Sequence, residues 1–227
     1  MSRARSRRPS VLQRLLATLM AAVILAAIGA AAAYALSRAD LPPIDGGRIP
    51  PVAYDAYQTA SAAAPAVAPG CVVHWTVLAG LGRVESRHGL IDGAGRIAPD
   101  GEITPWVRGP SLEGTRGTRA IADTDGGALD GDPTWDRAMG PLQFIPTTWA
   151  ELGRDGNGDG VADPDNLYDA AITAVAHLCL REPGNYADRR ELRRALIAYN
   201  ASGRYADEVL YWIDRYRSTP IDELLAG

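Results

Sequence analysis

Hydrophobic and polar positions alternate in three regimes along the chain. Leu15–Leu36 is a run of 22 residues broken only by Thr18, Gly29 and Tyr34. At a helical rise of about 1.5 Å per residue it is long enough to cross ~30 Å of hydrocarbon. Asp40–Gly70 is rich in Pro and Ala and reads as a spacer, with a short helix at Val52–Ala64. From Cys71 a helical period sets in. Leu78, Leu81, Gly82 and Glu85 share one face of a helix in Leu78–Gly89, with Gly89 as the left-handed residue past its end. Ile91–Asp132 loses that period to Gly and Asp turns, and a hairpin is expected at Ile97–Val107 around Asp100-Gly101. Helical spacing returns in Asp136–Gln143, Pro146–Leu152, Leu167–Leu180, Glu191–Ala201 and Ala206–Tyr216. Leu167–Leu180 is apolar almost all round and is the expected central helix. The fold class is therefore mainly α with a minor β excursion. One domain, 71–217, follows a basic tip (1–14), an apolar segment (15–36) and a linker (37–70), with a tail at 218–227.

Charge decides which way the apolar segment faces. All basic side chains among the 227 residues are arginine, and Arg3, Arg5, Arg7, Arg8 and Arg14 precede the first acid, Asp40. Without those five, 18 Arg face 27 acids, a balance of −9. So acidic a remainder excludes a nucleic-acid footprint. Arginines before the run and none within it predict a cytoplasmic N-terminus and an exported remainder. A cleaved signal peptide is the alternative, since Ala33-Tyr34-Ala35 resembles a cleavage site. Its apolar part would usually span only about 7–15 residues, which favours an uncleaved membrane anchor. In an oxidising compartment the two cysteines, Cys71 and Cys179, are expected to pair. Such a bridge closes a loop of about 108 residues, worth up to ~4.7 kcal/mol in the chain-entropy account.

Four stretches hold residues with chemistry to offer. Glu85 lies on the buried face of its helix, in the last turn, where desolvation and the helix dipole both disfavour the ionised form. A carboxyl kept protonated near neutral pH is what a general acid must be; the plainer reading is a salt bridge to Arg83 or Arg87. Gln143, within Met139–Trp149, is an amide among apolar neighbours, fit for a sugar hydroxyl or acetamido group or else for nearby backbone. In Asp155–Asp169 the alternation Asp155, Asn157, Asp159, with Gly160 at the sharp turn and the Val161 carbonyl next, follows the calcium loop of EF-hands. Its twelfth position is Asn166 where that pattern has Glu, and Asp169 stands ready to close the shell. A structural Ca²⁺ is expected, the alternative being a solvated acidic turn. Tyr199 and Asn200 fall where a helix would otherwise continue: the hydroxyl could bond the acid and the amide hold a sugar, or the pair could serve as core and cap.

Together and in this order, GRVESRHG, MGPLQFIPTTW, DGNGDGVADPDNLYDA and ALIAYNASGRY resemble the lytic murein transglycosylases. The closest likeness is to the membrane-bound type B family in the exported form found in actinobacteria. The resemblance spans about Trp75 to Tyr216 and implies a lysozyme-like fold. It also implies cleavage of the MurNAc–GlcNAc β-1,4 bond of peptidoglycan without water, leaving 1,6-anhydro-MurNAc. Glu85 matches the catalytic acid. Ser86 beside it, Gln143, Tyr199 and Asn200 match substrate-binding positions. Asp155, Asn157, Asp159, Val161 and Asp169 match a calcium loop of some members. No catalytic cofactor is implied; the partners expected are glycan strands and the membrane, and the expected state is a monomer on the wall side. Two other functions stay open. One is a hydrolytic muramidase, drawing a second carboxylate from Asp123, Asp125, Asp130, Asp132 or Asp136; the other is a non-catalytic peptidoglycan-binding or scaffold protein.

Overall fold

The protein is described by a computed structural model over residues 47–91, 95–115 and 118–225. The apolar run Leu15–Leu36 and the basic tip lie outside the described residues. No described helix is long and apolar enough to cross a membrane.

Helix α1, Pro51–Val67, opens with proline at its first turn and buries Ala53, Ala56, Tyr57, Ala60 and Ala64. Those positions repeat at helical spacing, and their small side chains let α1 lie close along the central helix. The helix expected at Val52–Ala64 is present and longer, and over 47–70 it replaces the spacer reading. Alanine and proline there suggested a loose tether, whereas alanine in this register makes a core helix, and the folded unit begins at Gly47 rather than Cys71.

Helix α2, Trp75–Ser86, is capped by His74 and packs against α1 and the long α6 described below. Two antiparallel pairs of short strands follow. β1 (Arg96–Ile97) pairs with β2 (Ile103–Thr104), the expected hairpin. β3 (Arg108–Ser111) pairs across a bulge with β4 (Arg137–Met139). Asp136–Gln143 is thus a strand and a turn, not a helix. Gly140 explains the difference: it has φ 68°, and a side chain there would stand 1.7 Å from the Pro164 carbonyl oxygen.

Helix α3 is Pro146–Leu152. Helix α4, Leu167–Arg181, is buried on nearly every side, as its composition predicts. Helix α5 (Arg189–Tyr199) is capped by Asp188, α6 (Gly203–Ser218) by Ser202, and α7 (Ile221–Leu225) is the last described helix. Gly80 lets α2 and α6 approach closely, since a Cβ there would meet Ile213 Cγ1 at 2.7 Å and the Val209 carbonyl at 3.1 Å. A disulfide between Cys71 and Cys179 ties the segment before α2 to the end of α4.

Candidate active site

The geometry is set at the end of α2. Leu78 and Leu81 are fully buried, and Glu85, on the same face, is half-buried. The chain leaves this helix through three left-handed residues, Arg87 (φ 55°), His88 (φ 65°) and Gly89 (φ 87°). Glycine alone was expected to do this, because the left-handed region disfavours other residues. His88 is held there by its ring nitrogens. Nδ1 lies 3.0 Å from the Tyr57 hydroxyl and Nε2 3.1 Å from that of Tyr216.

Ser86 is 3% exposed. Its hydroxyl donates to the Pro141 carbonyl at 2.6 Å and accepts the Gly89 N–H at 2.7 Å. Buried, with its proton donated and one lone pair engaged, it staples the end of α2 to the Gly140–Gln143 turn.

Gln143 sits at φ 52°, and its Nε2 donates to the Gly140 carbonyl at 2.9 Å. Its Oε1 accepts no hydrogen bond among the described residues. Gly109 makes room for that oxygen, since a Cβ there would lie 2.9 Å from it. The amide therefore satisfies backbone with one end and leaves an acceptor at the other.

Two tyrosines close the site, and they divide the work differently from expectation. Tyr199 donates to the Leu142 carbonyl at 2.9 Å, not to the acid. Its ring stacks on Tyr205, with centroids 6.5 Å apart and planes 4° apart. Tyr205 donates its hydroxyl to Glu85 Oε1. The missed signal was the Ser202 cap, which starts α6 early enough for Tyr205 to lead the stripe Tyr205, Val209, Ile213 and Tyr216 that α6 buries. Asn200 ends α5, and its side chain is exposed.

Burial of Glu85 pushes its carboxyl up to about 7; the Tyr205 hydrogen bond opposes this shift and the Glu208 charge adds to it. The lower-energy proton state near neutrality is thus delicately held, as acid–base work requires.

The aspartates considered as a second carboxylate are occupied locally. Asp123 accepts the N–H groups of Asp125, Gly126 and Gly127, and Asp130 those of Asp132 and Arg137. Asp132 pairs with Arg137 at 2.9 Å, and Asp136 accepts from Thr124. Among the described residues, three carboxylates converge at Asp123, Asp125 and Asp136, within 4.8 Å. Their spacing in the sequence follows no metal-loop pattern, and only the fold brings Asp136 to Asp123 and Asp125.

The Asp155–Asp169 loop is knit by its own acids. Asp155 accepts N–H from Gly158 and Gly160, and Asp159 from Val161. Buried Asp169 accepts from Gly156, Asn157 and Asp163. Asn166 is spent elsewhere: it caps α4 and donates to the Asp100 carbonyl. That dual duty explains why the twelfth position lacks the EF-hand acid. The Asp155, Asn157, Asp159 and Asp169 side chains supply hard oxygen donors of the type Ca²⁺ prefers.

No curated protein and no solved structure matches the chain. Residues 124–184 match the family model of the transglycosylase SLT domain. That segment holds the Gln143 turn, the aspartate loop and α4, and it stops short of Tyr199 and Tyr205 and begins after Glu85. The match supports a lytic transglycosylase family, enzymes acting on peptidoglycan, for the part of the chain that floors the site.

Proposed function

We propose that the chain is a peptidoglycan lytic transglycosylase of the membrane-bound type B form, using Glu85 as acid and then as base. The observation that carries this reading is the Glu85 carboxyl itself: half-buried, titrating near 7, and bonded to a tyrosine hydroxyl rather than to a cation. Protonated Glu85 donates to the glycosidic oxygen as the C1–O bond of MurNAc breaks. The acetamido group of that sugar steadies the cationic ring, as in substrate-assisted glycosidases. Glu85, now a carboxylate, removes the proton from the sugar's 6-hydroxyl, which closes on C1. Bond and proton counts balance with no water consumed, and the intramolecular attack gains effective molarity over water. Gln143 Oε1 accepts a sugar N–H or O–H, and the exposed Asn200 amide makes a further sugar contact. The Asp155–Asp169 loop takes a structural Ca²⁺ through Asp155, Asn157, Asp159, the Val161 carbonyl and Asp169, bracing the start of α4. Leu15–Leu36 anchors the domain on the wall side of the membrane.

Mass spectrometry of sacculi treated with the full chain tests the reading. Anhydro-ended muropeptides, one water lighter than reducing-end products, support it. Reducing ends identify a hydrolytic muramidase, and binding without new ends a scaffold protein; either result overturns it.

A further inference from the structure

A cavity of about 520 Å³ opens at the far end of α2 from Glu85. Three stretches build it. The entry to α2 contributes Val72, His74 and Trp75, the end of α6 contributes Tyr216 and Arg217, and Ala187 closes the third side. A parallel bridge between Val72 and Asn185 sets that third stretch in place, with the Tyr186 N–H on the Val72 carbonyl at 3.0 Å. Trp75 is a fixed wall. The Tyr54 ring meets it at 83° with centroids 5.1 Å apart, and the His74 ring lies 5.6 Å away. Val72 is 50% exposed and adds bare apolar surface beside it.

The charged and basic groups of this cavity are donors. His74 Nδ1 accepts the Thr76 N–H and lies 2.8 Å from the Thr76 hydroxyl. A ring nitrogen that accepts carries no proton, so the proton of the neutral imidazole sits on Nε2. Desolvation and the Arg217 charge both push the His74 pKa down and keep the ring neutral. Among the described residues no acid pairs with the exposed Arg217, and no acid lines the cavity. The acids nearby in sequence are spent elsewhere. Asp188 accepts the Arg190 and Glu191 N–H groups, Glu191 accepts the Asn185 N–H, and Asp214 pairs with Arg189. We infer that this cavity binds the terminal carboxylate of a short peptide. The planar Arg217 fork takes the two carboxylate oxygens, His74 Nε2–H adds a donor, and the apolar part of the peptide lies on Trp75 and Val72. The volume falls within the ~300–1,000 Å³ of small-ligand sites. Inorganic phosphate fits less well, because it gains nothing from the apolar wall.

The site does not depend on the reaction proposed above, but that reading supplies a source of such peptides, the stems carried by the wall polymer. Trp75 and Glu85 lie at opposite ends of α2, about 15 Å apart along its axis. An extended peptide of about five residues spans that distance at ~3.3–3.6 Å each. The full chain, purified in detergent and labelled with ¹⁵N at its indoles, is titrated with N-acetyl-alanyl-alanine and followed by NMR. The Trp75 signal is identified by its loss in Trp75→Phe. It should shift saturably with the dipeptide acid, and the C-terminal amide of the same dipeptide should bind about tenfold or more weakly, the worth of a hydrogen bond to a charged group. Arg217→Gln should weaken the acid by a similar factor, and Arg217→Lys should keep part of the affinity. No saturable shift, equal binding of acid and amide, wild-type binding by Arg217→Gln, or inorganic phosphate competing as well as the dipeptide overturns the inference. Glycan fragments with and without their stems separate the sources. A shift with stem-bearing fragments alone supports the site with stems as its ligand, and a shift with the free dipeptide but neither fragment supports it with free peptides. Reducing ends from sacculi would sink the transglycosylase reading while leaving the titration result standing.

Discussion

Glu85 and the aspartates of the two loops carry the same functional group in opposite surroundings. Asp132 accepts two backbone N–H groups and an arginine, and these hold its carboxyl below the usual range. At Asp159 the Asn157 amide and the Val161 N–H do the same. Glu85 has leucine beneath it, one tyrosine hydroxyl and a like charge nearby, and is pushed up to about 7. Donor count and desolvation thus sort the acids into ones that brace loops and one that holds a proton. Asp169 falls between: three backbone donors favour its ionised form, yet burial outweighs them and raises it.

The comparison predicts opposite outcomes for one kind of substitution, acid to amide. The largest effect is on turnover. Glu85→Gln should lower glycan cleavage by at least ~10²–10⁴-fold, the usual worth of a general acid, and near-wild-type release of muropeptides would erase the distinction. The same variant should be more stable than wild type at pH 8. A carboxyl raised in the folded state stabilises fully below its unfolded range and loses that contribution as pH rises through about 7. The gain at pH 8 is on the order of 1–3 kcal/mol, read from urea midpoints. Asp132→Asn should go the other way. Its lowered carboxyl stabilises the fold above the unfolded value and loses that contribution as pH falls through the folded one, so the amide weakens the protein at pH 7 and converges with wild type in acid. Tyr205→Phe sharpens the contrast. Loss of the hydroxyl should cut cleavage by about ten- to a hundredfold, in line with ~1.5–3 kcal/mol for hydrogen bonds to charged groups, and move the alkaline limb of activity upward. Ca²⁺ should act on stability and not on turnover: at about 100 times its dissociation constant it should add ~2.7 kcal/mol, and Asp169→Asn should abolish that gain without removing cleavage.

Much of the helical frame was legible because burial writes itself as period. Leu78, Leu81 and Glu85 share a face as their spacing requires, and the all-round apolarity of Leu167–Arg181 marks the central helix. Two cysteines allow a single pairing, and it is formed. What stayed hidden depends on contacts far apart in sequence. Alanine in Pro51–Val67 reads the same in a tether and in a tight helix–helix seam. The Gly140–Gln143 turn is enforced by the Pro164 carbonyl, and helical spacing on either side gave no sign of it. Tyr199 and Tyr205 stack on one another, so only the angle between α5 and α6 decides which hydroxyl reaches the acid.

In the proposed reaction Glu85 carries its proton at working pH and gives it to a glycosidic bond. The pH dependence of kcat/KM on solubilised glycan strands tests that claim most directly. Activity is expected to fall along an alkaline limb centred near pH 7, with Glu85→Gln inactive throughout. A profile flat to pH 9, or one retained in Glu85→Gln, would contradict it.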